Sequence, residues 1–230
     1  MTILVLDTSG PVCGTAVMDA EKVYSEFTAQ NRHTHSASLM PMVEQALEAA
    51  GKQMSDMEAV AVVTGPGSFT GVRIGVATAK GLAMGAGLKC IPVDALEAIA
   101  RSAGPFDGVV CPIQDARAGQ VYGAAFRAGE RLMENAALSL EEYLERVRPL
   151  GDRFLFAGDG VEPSLDRIRE ALGAAAEITP PCFRFLRPSA AGWIALEKGG
   201  PVDFFALDAA YLRPPNAQKN KKLLEAMAHG

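Results

Sequence analysis

This sequence has little from which to build disulfides, metal staples or membrane anchors. Its 230 residues include 4 Cys, 3 His and 1 Trp. Cys13, Cys90, Cys111 and Cys182 stand far apart, with no C-x-x-C pair and no histidine at a spacing that would complete a zinc site. Those in apolar or β-branched runs are expected to be buried free thiols. No apolar stretch approaches the roughly 20 residues a bilayer span needs, and Met1 leads into Ile3-Leu4-Val5-Leu6 without a basic leader, so a cytoplasmic protein is expected. Basic residues are in deficit: 22 Lys and Arg against 27 Asp and Glu leave a net charge of −5. Such a surface repels phosphate backbones and argues against a stand-alone RNA binder. The densest basic run, Lys219, Lys221 and Lys222, reads as a solvated helix end or terminus.

What remains is ordinary for a folded chain, with 49% apolar and 21% charged residues and enough length to bury a core. Thr2 to Leu6, Cys13 to Met18 and Lys22 to Thr28 are short strand-like runs joined by turns, which predicts an antiparallel meander. A helical period follows at Leu39, Val43, Ala46, Leu47 and Ala50, stopped by Gly51; Pro41 is tolerable there only in the first turn. Ala59 to Val63 reads as a doubly covered central strand. A glycine loop then feeds a helix from about Val72 to Met84, and Leu88 to Val93 closes the first half as βββ-α-β-α-β. The second half repeats the pattern: strands at Val109 to Gln114, Gln120 to Phe126, Leu132 to Leu138 and Phe154 to Ala157, with helices at Leu140 to Arg148, Ser164 to Leu172 and Ser189 to Lys198. Two related α/β lobes are expected, over 1–104 and 105–205, with 206–230 a segment that packs back across them.

No complete catalytic constellation is present. The loop Gly65-Pro66-Gly67-Ser68-Phe69-Thr70-Gly71 fails the dinucleotide fingerprint, because Thr70 stands where the third glycine belongs, and fails the Walker pattern, because Ala79 precedes Lys80. His33 and His35 are two apart, whereas a zinc-peptidase helix needs four, so a polar loop or helix cap is the simpler reading. No serine sits in a nucleophile elbow. Asp7-Thr8-Ser9 at the end of the first strand has the form of the phosphate turn of actin-like ATPases, with Asp115 at the comparable point of the second half and Gly158-Asp159-Gly160 where an adenosine loop would fall. Ordinary turn chemistry would place the same residues there.

Gly71, Gly75, Ala79 and Ala83 recur every four residues, a bare stripe along one side of the second helix. Helix glycines cost up to about 1 kcal/mol each against alanine, so a compensating close contact is expected. Two contacts satisfy that: the protein's own sheet, or a helix from another chain. We take the second, which predicts that Gly75→Phe abolishes partner binding and leaves the monomer folded.

Leu4-Val5-Leu6-Asp7-Thr8-Ser9, His35-Ser36, Gly65-Pro66-Gly67-Ser68-Phe69-Thr70-Gly71-Val72-Arg73-Ile74-Gly75, Asp115-Ala116-Arg117-x-Gly119-Gln120-Val121-Tyr122 and Tyr211-Leu212-Arg213, in this order, closely resemble the bacterial TsaB (YeaZ) family. Gln120 departs from it, since the family often carries Glu there. The resemblance implies an actin-like (ASKHA, ribonuclease H-like) fold of two lobes, each a mixed sheet flanked by helices. It implies a non-catalytic subunit of the machinery that makes threonylcarbamoyladenosine in tRNA. Such a subunit forms a heterodimer with its catalytic paralogue TsaD, helps recruit the ATPase TsaE, meets tRNA only through the complex and pairs with itself when alone. The family's partner interface lies on the two helices of the first lobe, which carries onto Leu39, Val43, Ala46, Gly71, Gly75, Ala79 and Ala83 here. Asp7, Thr8, Ser9, Asp115, Gly158, Asp159 and Gly160 would then form a vestigial nucleotide cleft. No resident cofactor or metal is expected, only weak nucleotide binding between the lobes. The rival expectation is a stand-alone ATPase or glycoprotease-like peptidase of the same fold.

Overall fold

Strand β1 (Ile3–Asp7) is buried at every position, because it is covered on both faces. Val5 and Ile3 point to one side of it and Leu4 and Leu6 to the other, and the two sets join separate apolar cores. The computed structural model describes residues 1–30 and 33–212. Around β1, antiparallel β2 (Cys13–Met18) and β3 (Val23–Ala29) lie to one side. Parallel β4 (Ala59–Gly65) and β5 (Lys89–Asp94) lie to the other, giving the order β3-β2-β1-β4-β5. The second sheet repeats this arrangement. Its central strand β6 (Val109–Asp115) pairs antiparallel with β7 (Gln120–Arg127), which pairs with β8 (Glu130–Ser139). On its far side β6 pairs parallel with β9 (Phe154–Ala157), followed by β10 (Ala176–Ile178), in the order β10-β9-β6-β7-β8.

Helices α1 (His35–Ala50) and α2 (Phe69–Ala86) cover the outer face of the first sheet, and α4 (Leu140–Val147) and α5 (Val161–Leu172) that of the second. Between the sheets lie α3 (Ala95–Ser102) and α7 (Pro188–Lys198), and the single turn α6 (Pro181–Arg184), which precedes α7, buries none of its residues. The inner core is continuous from Val5 and Ile91 of the first sheet, through Leu96, Ile99 and Ile194, to Val110 and Phe126 of the second.

The meander, the repeat and most elements follow the sequence pattern, and five local readings are corrected. Helix α1 starts at His35, so Pro41 lies inside it and not in its first turn. The ring sits on the exposed side, where the Ala37 carbonyl left without a backbone donor faces water. Helix α3 and strand β10 carry no strong period in sequence. Helix α3 is started by Asp94, whose Oδ1 accepts the Glu97 N–H at 2.8 Å, a cap worth about 1 kcal/mol. The first sheet ends with β5 at Asp94 and the second begins with β6 at Val109, and α7, expected within 105–205, packs on the first sheet. A Cβ on Gly192 would collide with Val5 and Met18, and one on Gly14 with Pro188, so α7 is seated directly on β1 and β2. The strap that follows stays with the first lobe, where Val202 bridges Cys90 and the Ala210 N–H donates to Thr64 O at 2.8 Å. Cys13, Cys90 and Cys111 are buried free thiols and Cys182 is an exposed one. The basic run Lys219–Lys222 and Arg213 lie outside the described residues.

The remaining correction concerns the stripe. Gly71, Gly75, Ala79 and Ala83 are all buried against the protein's own β1 and β4. A Cβ on Gly75 would stand 2.6 Å from Thr8 Oγ1, and one on Gly71 would collide with Thr8 O. Leu39, Val43 and Ala46 are likewise sealed in the core beneath α1. The glycines are there so that α2 can lie on the end of β1, and none of these seven residues is free to meet another protein.

Candidate functional site

The two chain reversals that follow the central strands face each other across a cleft of about 770 Å³. On the first lobe, Asp7 ends β1 and its Oδ1 accepts both the Ser9 N–H at 2.8 Å and the Ser9 hydroxyl at 2.7 Å. Burial pushes the Asp7 carboxyl up to about 6, against the opposing pull of those two Ser9 bonds. The Thr8 hydroxyl donates to Gly71 O at 2.7 Å, and the Ser68 N–H donates to Ser9 O at 2.7 Å. Gly67, at φ 157°, lies so close to Ser9 O that no Cβ fits. His35 places Nε2 2.9 Å from Gly10 O and so ties the start of α1 to the same turn.

On the second lobe, Asp115 ends β6 and its Oδ1 accepts the Arg117 N–H at 2.8 Å. Arg117 and Ala118 hold φ of 67° and 53°, a left-handed backbone that costs each of them of order 1 kcal/mol. Gly158 and Gly160 pack against the Ile113 backbone, the Gly160 N–H donating to Ile113 O at 3.1 Å. Burial pushes the Asp159 carboxyl between them up to about 6, with the Asp115 charge adding to the rise. Ser9, Asp115 and Asp159 line the cleft, whereas Asp7 and Thr8 lie beneath its floor.

An actin-like fold implies Mg–ATP between the lobes, and these residues do not fit its phosphate chain. Ser9 has spent its backbone N–H and its hydroxyl on Asp7, Thr8 has spent its hydroxyl on Gly71, and Gly67 and Ser68 roof the turn. Among the described residues, no three His, Cys, Asp or Glu side chains gather closely enough to hold a metal ion.

The sequence reading missed two groups. The first is at the start of α2, where the Arg73 guanidinium stacks 3.7 Å from the Phe69 ring centroid and donates Nε–H to Tyr211 Oη at 2.8 Å. The Phe69 and Tyr211 rings are 5.2 Å apart, and all three residues line the cleft with Gln114. Arg73 and Tyr211 stood in the quoted motifs, but nothing in their spacing tells that the strap brings them together. The second is the outward side of α2, where Ala77, Gly81, Met84 and Gly85 are exposed. A Cβ on Gly81 or Gly85 would meet nothing within 4 Å among the described residues. This second small-residue stripe has the same four-residue spacing as the buried one. Met40, on the exposed side of α1, is the other uncovered large apolar side chain of the pair besides Phe69.

Two five-stranded mixed sheets of the same strand order, facing each other across a cleft and flanked by helices, define an actin-like ATPase fold. A solved structure of YeaZ from Pseudomonas aeruginosa superposes with a TM-score of 0.74 at 27% identity, covering 92% of this chain and 99% of that one. Component A of (R)-2-hydroxyglutaryl-CoA dehydratase from Acidaminococcus fermentans, at TM-score 0.53 and 12% identity over 86% of this chain and 98% of that one, shares the fold alone. Residues 22–196 match the family model of TsaD, tRNA N6-adenosine threonylcarbamoyltransferase. The tRNA threonylcarbamoyladenosine biosynthesis protein TsaB of Bacillus subtilis is 33% identical over 95% of this chain and 96% of its own length. The chain belongs to the TsaB family. No helix among the described residues is long and apolar enough to cross a membrane.

Proposed function

We propose that the chain is the accessory, non-catalytic subunit of the assembly that forms threonylcarbamoyladenosine in tRNA. Its part in that biosynthesis rests on the TsaB relatives, which it matches along nearly its whole length. The accessory role is our own step. The single observation carrying it is the state of the inter-lobe turn: the groups that would grip a nucleotide's phosphates in a working enzyme of this fold are spent on bonds within the turn and to the Gly71 carbonyl.

In this reading the partner is TsaD, docked on the outward sides of α1 and α2, with TsaE joining the pair and tRNA reached only through the complex. The docking residues are Ala77, Gly81 and Gly85, flanked by Met84 and Met40. Bare helix backbone lets another helix approach closely, and Met84, 63% exposed, is a flexible apolar side chain suited to an interface. An uncovered face of this kind also pairs with its own copy when no partner is present. The test is reconstitution: tRNA, the threonylcarbamoyl donor system, TsaD and TsaE, with and without this chain. We expect modification only with the chain present, and no ATP hydrolysis or peptide cleavage by the chain alone. Brisk turnover by the isolated protein would mean an enzyme in its own right.

A further inference from the structure

The described residues end at Leu212, at the head of the docking face. The strap that leads there is pinned: Tyr211 Oη accepts the Arg73 Nε–H at 2.8 Å, and the Tyr211 and Phe69 rings are 5.2 Å apart. Phe69 and Arg73 begin the exposed side of α2, which continues through Ala77 and Gly81 to Met84 and Gly85. Leu212 is itself exposed, so residues 213–230 follow from a point beside the face assigned to the partner.

Those 18 residues match that face in reach, apolar content and charge. Even wholly helical they would span about 27 Å, against about 18 Å along α2 from Arg73 to Gly85. Their large apolar residues are Leu223, Leu224 and Met227, three and four apart as on one helix face, and the face offers Met40 and Met84 uncovered. Lys219, Lys221 and Lys222 outweigh the single acid Glu225 of the segment. Helix α1 holds no Lys or Arg and exposes Glu44 and Glu48, neither of them ion-paired among the described residues. The bases of α2 do not oppose this attraction, since Arg73 is taken up by Phe69 and Tyr211 and Lys80 is half-buried near Cys90.

We propose that segment 216–230 of this chain covers the outward sides of α1 and α2 while the partner is absent, its apolar residues on α2 and its lysines toward Glu44 and Glu48, so that the partner must displace it. The inference rests on the docking face proposed above and adds the regulation of that face. A tethered segment acts at an effective concentration of order millimolar, so it outcompetes a second copy of the chain at micromolar concentration.

Thiol labelling of the full chain tests it. In a Cys182→Ser background the remaining native thiols are buried, and Ala77→Cys puts a reporter on the covered side of α2. We expect a maleimide to label that reporter about tenfold more slowly than in a variant that also carries Leu223→Ser, Leu224→Ser and Met227→Ser, and equally slowly as the protein is diluted. TsaD should slow labelling of the triple-serine variant at about tenfold lower concentration than it needs with the intact tail, because nothing then competes with it. Equal labelling rates with and without the three serines overturn the proposal, as does protection that fades on dilution, which would mean cover by a second copy, or an equal TsaD requirement in the two proteins. A triple-serine reporter that TsaD never slows would instead remove the docking reading, while the comparison without TsaD still decides whether the tail covers the face.

Discussion

Asp7 carries the clearest single-residue consequence. Its carboxyl titrates at about 6 in the folded chain against 3.8 when solvated, because it lies beneath the cleft floor, away from water. A carboxyl whose folded value is raised stabilises the fold only while protonated, so that contribution is complete below about pH 4 and is lost as pH climbs through 6. Between pH 5 and 7.5 the loss should be about 1 kcal/mol from this group. Asp7→Asn keeps an acceptor for Ser9 without the charge. Denaturant unfolding of the variant should show a smaller drop between those pH values than the parent; an undiminished drop would assign the pH dependence elsewhere. Gly75 makes the opposite case. With Thr8 Oγ1 2.6 Å from where its Cβ would sit, Gly75→Ala should cost about 1–3 kcal/mol by overpacking, and Gly75→Phe should unfold the chain. A folded, soluble Gly75→Phe monomer by circular dichroism would contradict the packing described here.

At the scale of elements, α2 explains what the sequence could and could not tell. Its length, its glycine loop and its four-residue stripes were legible, because helical period and small-residue spacing are properties of the chain itself. Which stripe faces inward was not. Gly71-Gly75-Ala79-Ala83 and Ala77-Gly81-Gly85 have the same spacing, and only β1 lying against the former distinguishes them. The strands of both lobes were legible from their apolar runs and turns, whereas α3 depends on a cap at the end of β5 and on burial between the sheets. The cleft was half legible: Ser9, Asp115 and Asp159 come from motif positions, but Gln114 and Arg73 gain meaning only from burial and from the returning strap. Helix α2 also supplies a prediction of gain. Gly81 is exposed in mid-helix with open space around it, so Gly81→Ala should raise stability by about 0.5–1 kcal/mol, read as a higher melting temperature. A loss would show that its backbone is committed to a contact within the fold.

The whole molecule is two copies of one strand order sharing a central core, with α7 and its strap returned to the first lobe. That arrangement leaves the outward sides of α1 and α2 uncovered while spending the cleft's turn residues on internal bonds. The division of labour proposed above rests on this contrast, and Gly81→Phe separates docking from folding because, among the described residues, nothing outside its own turn of helix stands within 4 Å of where its Cβ would sit. Light scattering after size-exclusion chromatography, on the parent and on Gly81→Phe, each mixed with TsaD at micromolar concentration, tests it most directly. The account predicts a heterodimer peak for the parent and separate peaks for a variant whose circular dichroism matches the parent. A heterodimer formed equally well by both proteins would contradict it.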